Sequence, residues 1–360
     1  MLRLLTLNLQ HAQLGALAPA PAGPGADPRD PRAAREVLVA LAGQLAALGP
    51  DVIALQEVDL GQARSGRLNQ VAELASALGW PHHRLAATYA GGVTGLRRRP
   101  RRSGLTRRGD DVLGPALAAA GRPLAGFGNA LISRYPVAAW HVRRLGRGPA
   151  LLTRRGDGAA GRGQLRAALD PRSYRLETST ARVLLAARVS LPTGVLPGAG
   201  GLAVGSTHLA TRPDVAAAQL AGAWAALTRL PGPHALAGDL NLRPEEVRSL
   251  GVGRLLGEGP TYPADGPRYR IDQVLTDPWP LDAHGQPLVP GPRDAGGAGW
   301  SGAGSASAVP GAAGAVPGVD GAPAGAPSPG VHLVARDWGS TTLLVSDHAA
   351  TWVDLETVGA

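Results

Sequence analysis

The sequence predicts an α/β layered domain. In the N-terminal part of the chain, short apolar runs alternate with amphipathic helical patterns, and apolar runs dominate later. Several runs are apolar on both faces, as in sheets buried between other layers. At 360 residues, 44% of them apolar, the chain can bury a sizeable core.

The elements follow in order. Leu2 to Leu9 reads as a first strand ending at Asn8. Pro31 to Leu48 reads as a helix, because Val37, Leu38, Leu41, Leu45 and Leu48 recur at helical spacing and Gly49-Pro50 stops it. Asp51 opens a buried strand, Val52 to Gln56, with Glu57 at its C-terminal end. Leu68 to Leu78 is a second helix, with Val71, Leu74, Ala75 and Leu78 on one face. Apolar strands follow at Asn129–Ile132, Val183–Leu191, Leu202–Leu209 and His234–Asp239. Ile271–Thr276 and Thr341–Val345 read as the last two strands, with a closing strand at Thr351–Leu355.

Two stretches read as insertions into one domain spanning 1–360. Of the 48 positions in 283–330, 37 are Gly, Ala, Pro or Ser, too little apolar surface to offset ordering entropy, so this stretch reads as a disordered loop. Residues 91–126 form the other, with Arg97, Arg98, Arg99, Arg101, Arg102, Arg107 and Arg108 crowding its middle. A solvated loop is the default for such a run; contact with phosphate or nucleic acid is the alternative.

Composition narrows the chemistry. Cysteine is absent, which excludes disulfides and thiolate metal sites and leaves oxygen and imidazole ligands. Neither a secretory leader nor an apolar run long enough for a membrane span is present, and a cytoplasmic protein is the expectation. The net charge of +9 comes entirely from arginine. Coding bias explains that, and so does attraction to a phosphate-bearing substrate or a polyanion. With one Phe, the interior falls to Leu, Val, Ala and the seven Trp.

Polar residues repeatedly sit at the ends of the apolar runs: Asn8, Glu57, His208, Asp239 with Asn241, and Asp347 with His348. In layered α/β folds strand ends form the rim where ligands bind. Singly, each has a structural explanation as a turn cap, a satisfied histidine or a surface carboxylate. Together they have the donor chemistry of a hard-metal phosphoesterase site.

The motifs make the resemblance specific. Leu5-Thr6-Leu7-Asn8, the run Pro50 to Asp59 containing Gln56-Glu57, and Gly128-Asn129-Ala130-Leu131-Ile132-Ser133-Arg134 come first. Ser206-Thr207-His208-Leu209, Gly238-Asp239-Leu240-Asn241, Ile271-Asp272 and Ser346-Asp347-His348 follow. In type and order these blocks resemble the endonuclease/exonuclease/phosphatase superfamily. The resemblance implies a four-layer sandwich of two mixed β-sheets packed face to face and flanked by helices. It also implies Mg²⁺- or Mn²⁺-dependent hydrolysis of a phosphate ester. Glu57 would be the principal metal ligand, helped by Asn8 and Asp347. Asp239 would orient or deprotonate the attacking water, and Asn241 would hold that water or a phosphate oxygen. His348, steered by Asp272, would contact the scissile phosphate, and His208 would stabilise phosphoryl oxygens or assist the leaving group. Asn129 would face the substrate.

This sequence departs from the pattern at three places. Ala216 stands three residues before Gln219 where relatives often carry Arg. Leu240 replaces the commoner Phe, and Gln273 the usual Tyr. These positions bear on packing and substrate choice rather than on the carboxylates and histidines. Cleavage of DNA or RNA remains the alternative to a small phosphoester. An inactive relative that binds a phosphorylated ligand sits poorly with a chain that keeps every one of these residues.

Overall fold

The computed structural model describes residues 1–15, 27–93, 125–149, 151–154, 174–177, 181–288 and 331–359. Its first sheet is built from β1 (Leu2–Asn8), β2 (Val52–Leu60), β3 (His82–Ala90), β4 (Gly126–Ser133), β13 (Val331–Thr341) and β14 (Ala350–Gly359), in the order β13-β14-β1-β2-β4-β3. Its second contains β5 (Val137–Gly146), β8 (Arg182–Val189), β9 (Leu202–His208), β10 (His234–Asp239), β11 (Arg254–Leu256) and β12 (Asp272–Thr276), in the order β11-β12-β10-β9-β8-β5. A separate hairpin pairs β6 (Leu151–Arg154) with β7 (Tyr174–Glu177). Both sheets are mixed: β1 and β2 run parallel, as do β9 and β10, and the other pairs are antiparallel.

The period of two along each strand divides the core into three slabs. Leu2 and Leu4 of β1 and Val52 and Ala54 of β2 face Val183, Leu185, Val204, Ala235 and Ala237 of the second sheet. Their neighbours Leu5, Leu7, Ile53 and Leu55 face outward onto helices α1 (Pro31–Ala47) and α2 (Gln70–Leu78). On the far side, Leu184, Ala186, Leu236 and Leu275 pack under α3 (Pro213–Leu227) and α4 (Pro244–Leu250) through Leu220, Ala223, Leu227 and Val247. Helix, sheet, sheet and helix make four layers, as the resemblance implied.

Local chemistry sets the helix ends. Asp30 caps α1 by accepting from the Arg32 amide, Pro31 fits the first turn, and Asn69 caps α2 through the Ala72 amide. No described helix is long and apolar enough to cross a membrane.

The structure corrects several expectations. Thr341 ends β13, and Thr342–Val345 form no strand: Val345 makes only an isolated bridge to Leu14. The strand carrying Glu57 does not stop there but runs on to Leu60 through a bulge between Leu55 and Val58. Tryptophan does not fill the interior: among the described residues only Trp224 is buried, while Trp338 is 37% exposed. Of the arginine-rich stretch, 94–124 lie outside the described residues, and Gly126 already belongs to β4. Of the Gly/Ala/Pro stretch, 289–330 lie outside them, while Asp282 closes a turn by accepting from the amides of His284 and Gln286.

Gly128 lets β3 and β4 approach at a break in their register. A Cβ there would meet the Ala86 carbonyl oxygen and come within 2.7 Å of Ala87 Cα, both backbone. Gly43, exposed in the middle of α1, has nothing within 4 Å of such a Cβ. Gly128→Ala is therefore expected to cost about 2 kcal/mol or more in a urea titration, and Gly43→Ala to gain roughly 0.5–1 kcal/mol. Equal midpoints for the two variants would contradict this packing.

Candidate active site

Topology gathers the polar strand ends on one rim. The parallel strands β1 and β2 deliver Asn8 and Glu57, and the parallel strands β9 and β10 deliver His208 and Asp239, which are register partners. Strand β12 runs antiparallel to β10, so its first residue, Asp272, lies opposite Asp239. Asp347 and His348 enter from the turn before β14.

Asp239 is the hub. It is buried, its Oδ2 accepts from Asn8 Nδ2 at 3.0 Å, and its Oδ1 accepts from the Asn241 amide at 3.0 Å. His208 Nε2 lies 3.4 Å from the same Oδ2, and His348 Nε2 lies 3.9 Å from it. Burial, reinforced by the charge of Asp272, pushes the Asp239 carboxyl up to about 7.

The two histidines are tuned in opposite directions. Burial works to lower His348, but the 2.8 Å hydrogen bond from its Nδ1 to Asp272 Oδ2 and the charges of Asp272, Asp239 and Asp347 outweigh it, raising the imidazole to about 9. The Tyr262 ring covers it, with centroids 4.7 Å apart. His208 has no such partner: its Nδ1 is 3.7 Å from Glu57 Oε1, and burial, with Arg182 and His348 adding like charge, holds it well below its ordinary value. One imidazole is thus a cation near neutrality and the other is neutral.

One group of carboxylate and imidazole donors among the described residues lies close enough together to hold a cation, and a second set is the one expected from the sequence. Ligand atoms of Asp239, Asp272 and His348 lie within 4.8 Å of one another, but Asp272 Oδ2 and His348 Nδ1 are engaged with each other. In the set Asn8, Glu57 and Asp347, the two carboxylate side chains stay 27% and 45% exposed. Burial raises the Glu57 carboxyl and the Asp347 charge adds to the rise, a repulsion that a cation between the two would relieve. The oxygen chemistry of this second set fits Mg²⁺ or Mn²⁺.

Two expected residues are placed differently from the rest. Asn129 is buried between the sheets, where its Nδ2 donates to the Val183 carbonyl at 2.7 Å. The Asn241 side-chain amide donates to the Leu209 carbonyl at 3.0 Å, fixing the turn beside Asp239. Two glutamines of the pattern have structural uses: the retained Gln219 spans the Ala210 amide and the Gly146 carbonyl, and Gln273, in place of the usual Tyr, donates its Nε2 to the Leu242 carbonyl.

Sequence reasoning missed Arg182. Strand β8 runs antiparallel to β9, so its first residue reaches the rim that β9 reaches with its last. Its Nε is buried without a protein partner, and its charge is felt by Glu57, Asp239 and His208. The signal was present, since Arg182 borders the apolar run from Val183, but at the start of that run rather than its end.

The sequence profile described as "Endonuclease/Exonuclease/phosphatase family" matches residues 5–348. No curated protein matches the chain. Among similar solved structures is an endonuclease/exonuclease/phosphatase from Beutenbergia cavernae DSM 12333, 19% identical, with a TM-score of 0.47 over 98% of this chain and 71% of that one. A family protein from Bacteroides thetaiotaomicron is 12% identical, with a TM-score of 0.48 over 98% and 94%. Another, from Leptotrichia buccalis C-1013-b, is 13% identical, with a TM-score of 0.48 over 99% and 100%. With all seven sequence blocks inside the matched span, the chain belongs to the endonuclease/exonuclease/phosphatase family of phosphoester hydrolases.

Proposed function

We propose that this protein hydrolyses a phosphate ester with Mg²⁺ or Mn²⁺ held by Asn8, Glu57 and Asp347. The observation that carries the reading is the convergence of a buried carboxyl, Asp239, with a cationic imidazole locked by Asp272. That pair offers a proton acceptor for water and positive charge for the phosphoryl group within one site. The divalent cation would supply Lewis-acid charge at a phosphoryl oxygen.

The chain's own residues do the rest. Asp239, pushed toward neutrality by burial, is matched to taking a proton from the attacking water and returning it later. Its acceptor oxygen is fixed by Asn8, so the water is oriented by a group that cannot rotate away. His348 meets the phosphoryl oxygens as a cation, aimed by the Asp272 hydrogen bond. His208, neutral, offers a hydrogen bond to the same oxygens or to the leaving group without competing for the cation's place. Arg182 adds a guanidinium where the negative charge of the pentavalent state develops. Asn129 and Thr207 both donate to the Val183 carbonyl, which holds the start of β8 and hence Arg182 in place.

A polynucleotide is the second substrate reading. It draws on the net charge of +9 and on the arginines of 97–108, which lie outside the described residues. Activity on polynucleotide that falls steeply between low and moderate salt would favour it.

Glu57→Gln should raise the Mg²⁺ or Mn²⁺ concentration for half-maximal rate about tenfold or more and abolish the metal-induced rise in Tm. His348→Gln should lower kcat by about 10²–10⁴ while keeping that rise in Tm. Wild-type turnover in either variant would overturn the assignment.

Arg182→Met should reduce kcat/KM by about 10²-fold, as loss of one charged donor to the phosphoryl group does. Arg182→Lys should recover part of it. Unchanged kcat/KM in Arg182→Met would remove this arginine from the site.

A further inference from the structure

Of the three groups assigned to the cation, Asn8 alone closes a regular strand pairing, opposite Gln56. Glu57 stands on the bulge between Leu55 and Val58, with φ of 53°, and Asp347 on the turn before β14. Neither carboxylate is placed by a strand ladder, and the charge of each works against the other. Their separation therefore has to be set by something else.

The turn Gln10–Ala12 lies between them and is tied to both. Toward Asp347, Gln10 Oε1 accepts from the Asp347 amide at 3.1 Å, and the Gln13 carbonyl accepts from the Ser346 amide at 2.8 Å. The Gly15 amide donates to the Leu344 carbonyl at 2.9 Å, and the approach is so close that a Cβ on Gly15 would lie 2.8 Å from the Ser346 carbonyl oxygen. Toward Glu57, the buried side chain of Gln70 in α2 makes the link. Its Nε2 donates to the His11 carbonyl at 2.7 Å, and its Oε1 accepts at 2.8 Å from the amide of Asp59, two residues beyond Glu57. At the root of the turn, Asn8 Oδ1 accepts from the Gln10 amide at 3.1 Å and keeps a second lone pair for a cation.

The backbone of this turn is unusual. Gln10, His11 and Ala12 have φ of 46°, 50° and 61°, three consecutive non-glycine residues in the left-handed region. Glycine would take these angles without strain, but it would leave the turn free to take others. The chain has 51 glycines and places none of them here. A strained turn persists only where its surroundings over-determine it, and the surroundings in this case are the segments that carry the three cation ligands.

We propose that the Gln10–Ala12 turn is a strut that sets the spacing of Glu57 and Asp347 for a divalent cation, with Gln10 and Gln70 as its positioning residues. Only a side-chain amide both accepts from the Asp59 N–H and donates to the His11 carbonyl, which accounts for glutamine at 70. The strut rests on the metal-dependent reading above and extends it to residues that touch neither cation nor substrate.

Titration of Mn²⁺ into the metal-free full chain, followed by calorimetry, tests it. Gln10→Met removes the acceptor for the Asp347 amide and should weaken the Mn²⁺ Kd about tenfold, as loss of a partner behind a metal ligand does. Its kcat at saturating Mn²⁺ should stay within about threefold of wild type, because the ligands themselves remain. Gln10→Glu keeps an acceptor at the same reach and should bind no more than about threefold more weakly than wild type. Gly15→Ala, which wedges the turn away from Ser346, should also weaken Kd about tenfold and covers the case in which Gln10→Met does not fold. Gln44→Met frees the Leu344 amide on the same segment from α1 rather than from the turn, and should leave Kd within about twofold. Wild-type affinity in Gln10→Met, or an equal loss in Gln44→Met, overturns the strut while the metal reading stands. A wild type that binds no Mn²⁺, or a Glu57→Gln variant that binds it as wild type does, sinks the metal reading itself and the strut with it.

Discussion

The buried carboxylate of Asp239 is the constraint around which the rest is arranged. A charge taken out of water is tolerated only with partners, and Asp239 draws them from both sheets. Asn8 comes from the centre of the first sheet and His208 from the neighbouring strand of the second. The approach of β10 to β9 also depends on the residue before it. A Cβ on Gly238 would run into the Thr207 carbonyl, so a glycine here keeps the His208–Asp239 register that faces the imidazole to the carboxylate.

Beneath the mouth, the space between the sheets changes character. Where β1, β2 and β9 are deepest, the contacts are leucine, valine and alanine. Toward the rim they become Thr6, Gln56, Ser206 and Thr207, all buried. Gln56 Nε2 reaches Thr6 Oγ1 and Ser206 Oγ, both at 3.1 Å, and Ser206 in turn donates to the Leu55 carbonyl. Apolar contact alone allows small slides of one sheet on another, whereas a satisfied polar network specifies one arrangement. The candidate site groups follow that network at the strand ends, so their spacing inherits its precision.

Much of this was legible in the sequence, for identifiable reasons. The strand ending at Asn8 and the strand His234–Asp239 showed their bounds because an apolar run stops at a polar residue on the rim. Pro31 and Gly49-Pro50 bracketed α1 by their backbone restrictions. What escaped had weak or misleading local signals. Helix α3 is alanine-rich with little apolar periodicity, so no face stood out. The apolar run Thr341–Val345 imitated a strand, although Leu343 and Val345 simply bury themselves in the slab of core under α1 and α2, beside the site turn. Asn129 lay in one of the family blocks yet donates across the joint between sheets, and Arg182 opened a strand rather than closing one. Motif and strand end locate a rim; only the direction of each strand says which end of it arrives there.

Strain is concentrated at that rim as well. Of the seven described non-glycine residues with positive φ, six are Gln10, His11, Ala12, Glu57, Asn241 and Ser346, each on a segment that delivers a site group. These conformations persist because their surroundings over-determine them. Asn241 is pinned through both its backbone and side-chain amides, and Ser346 donates its hydroxyl to the Asn8 carbonyl and its amide to Gln13. A strand pointing a carboxylate straight along its own axis would leave it free to swing. Turning the chain sharply at the strand end, and tying the turn to the neighbouring strand end, fixes the direction of the side chain at the expense of backbone energy. The four layers supply the burial that makes that expense tolerable.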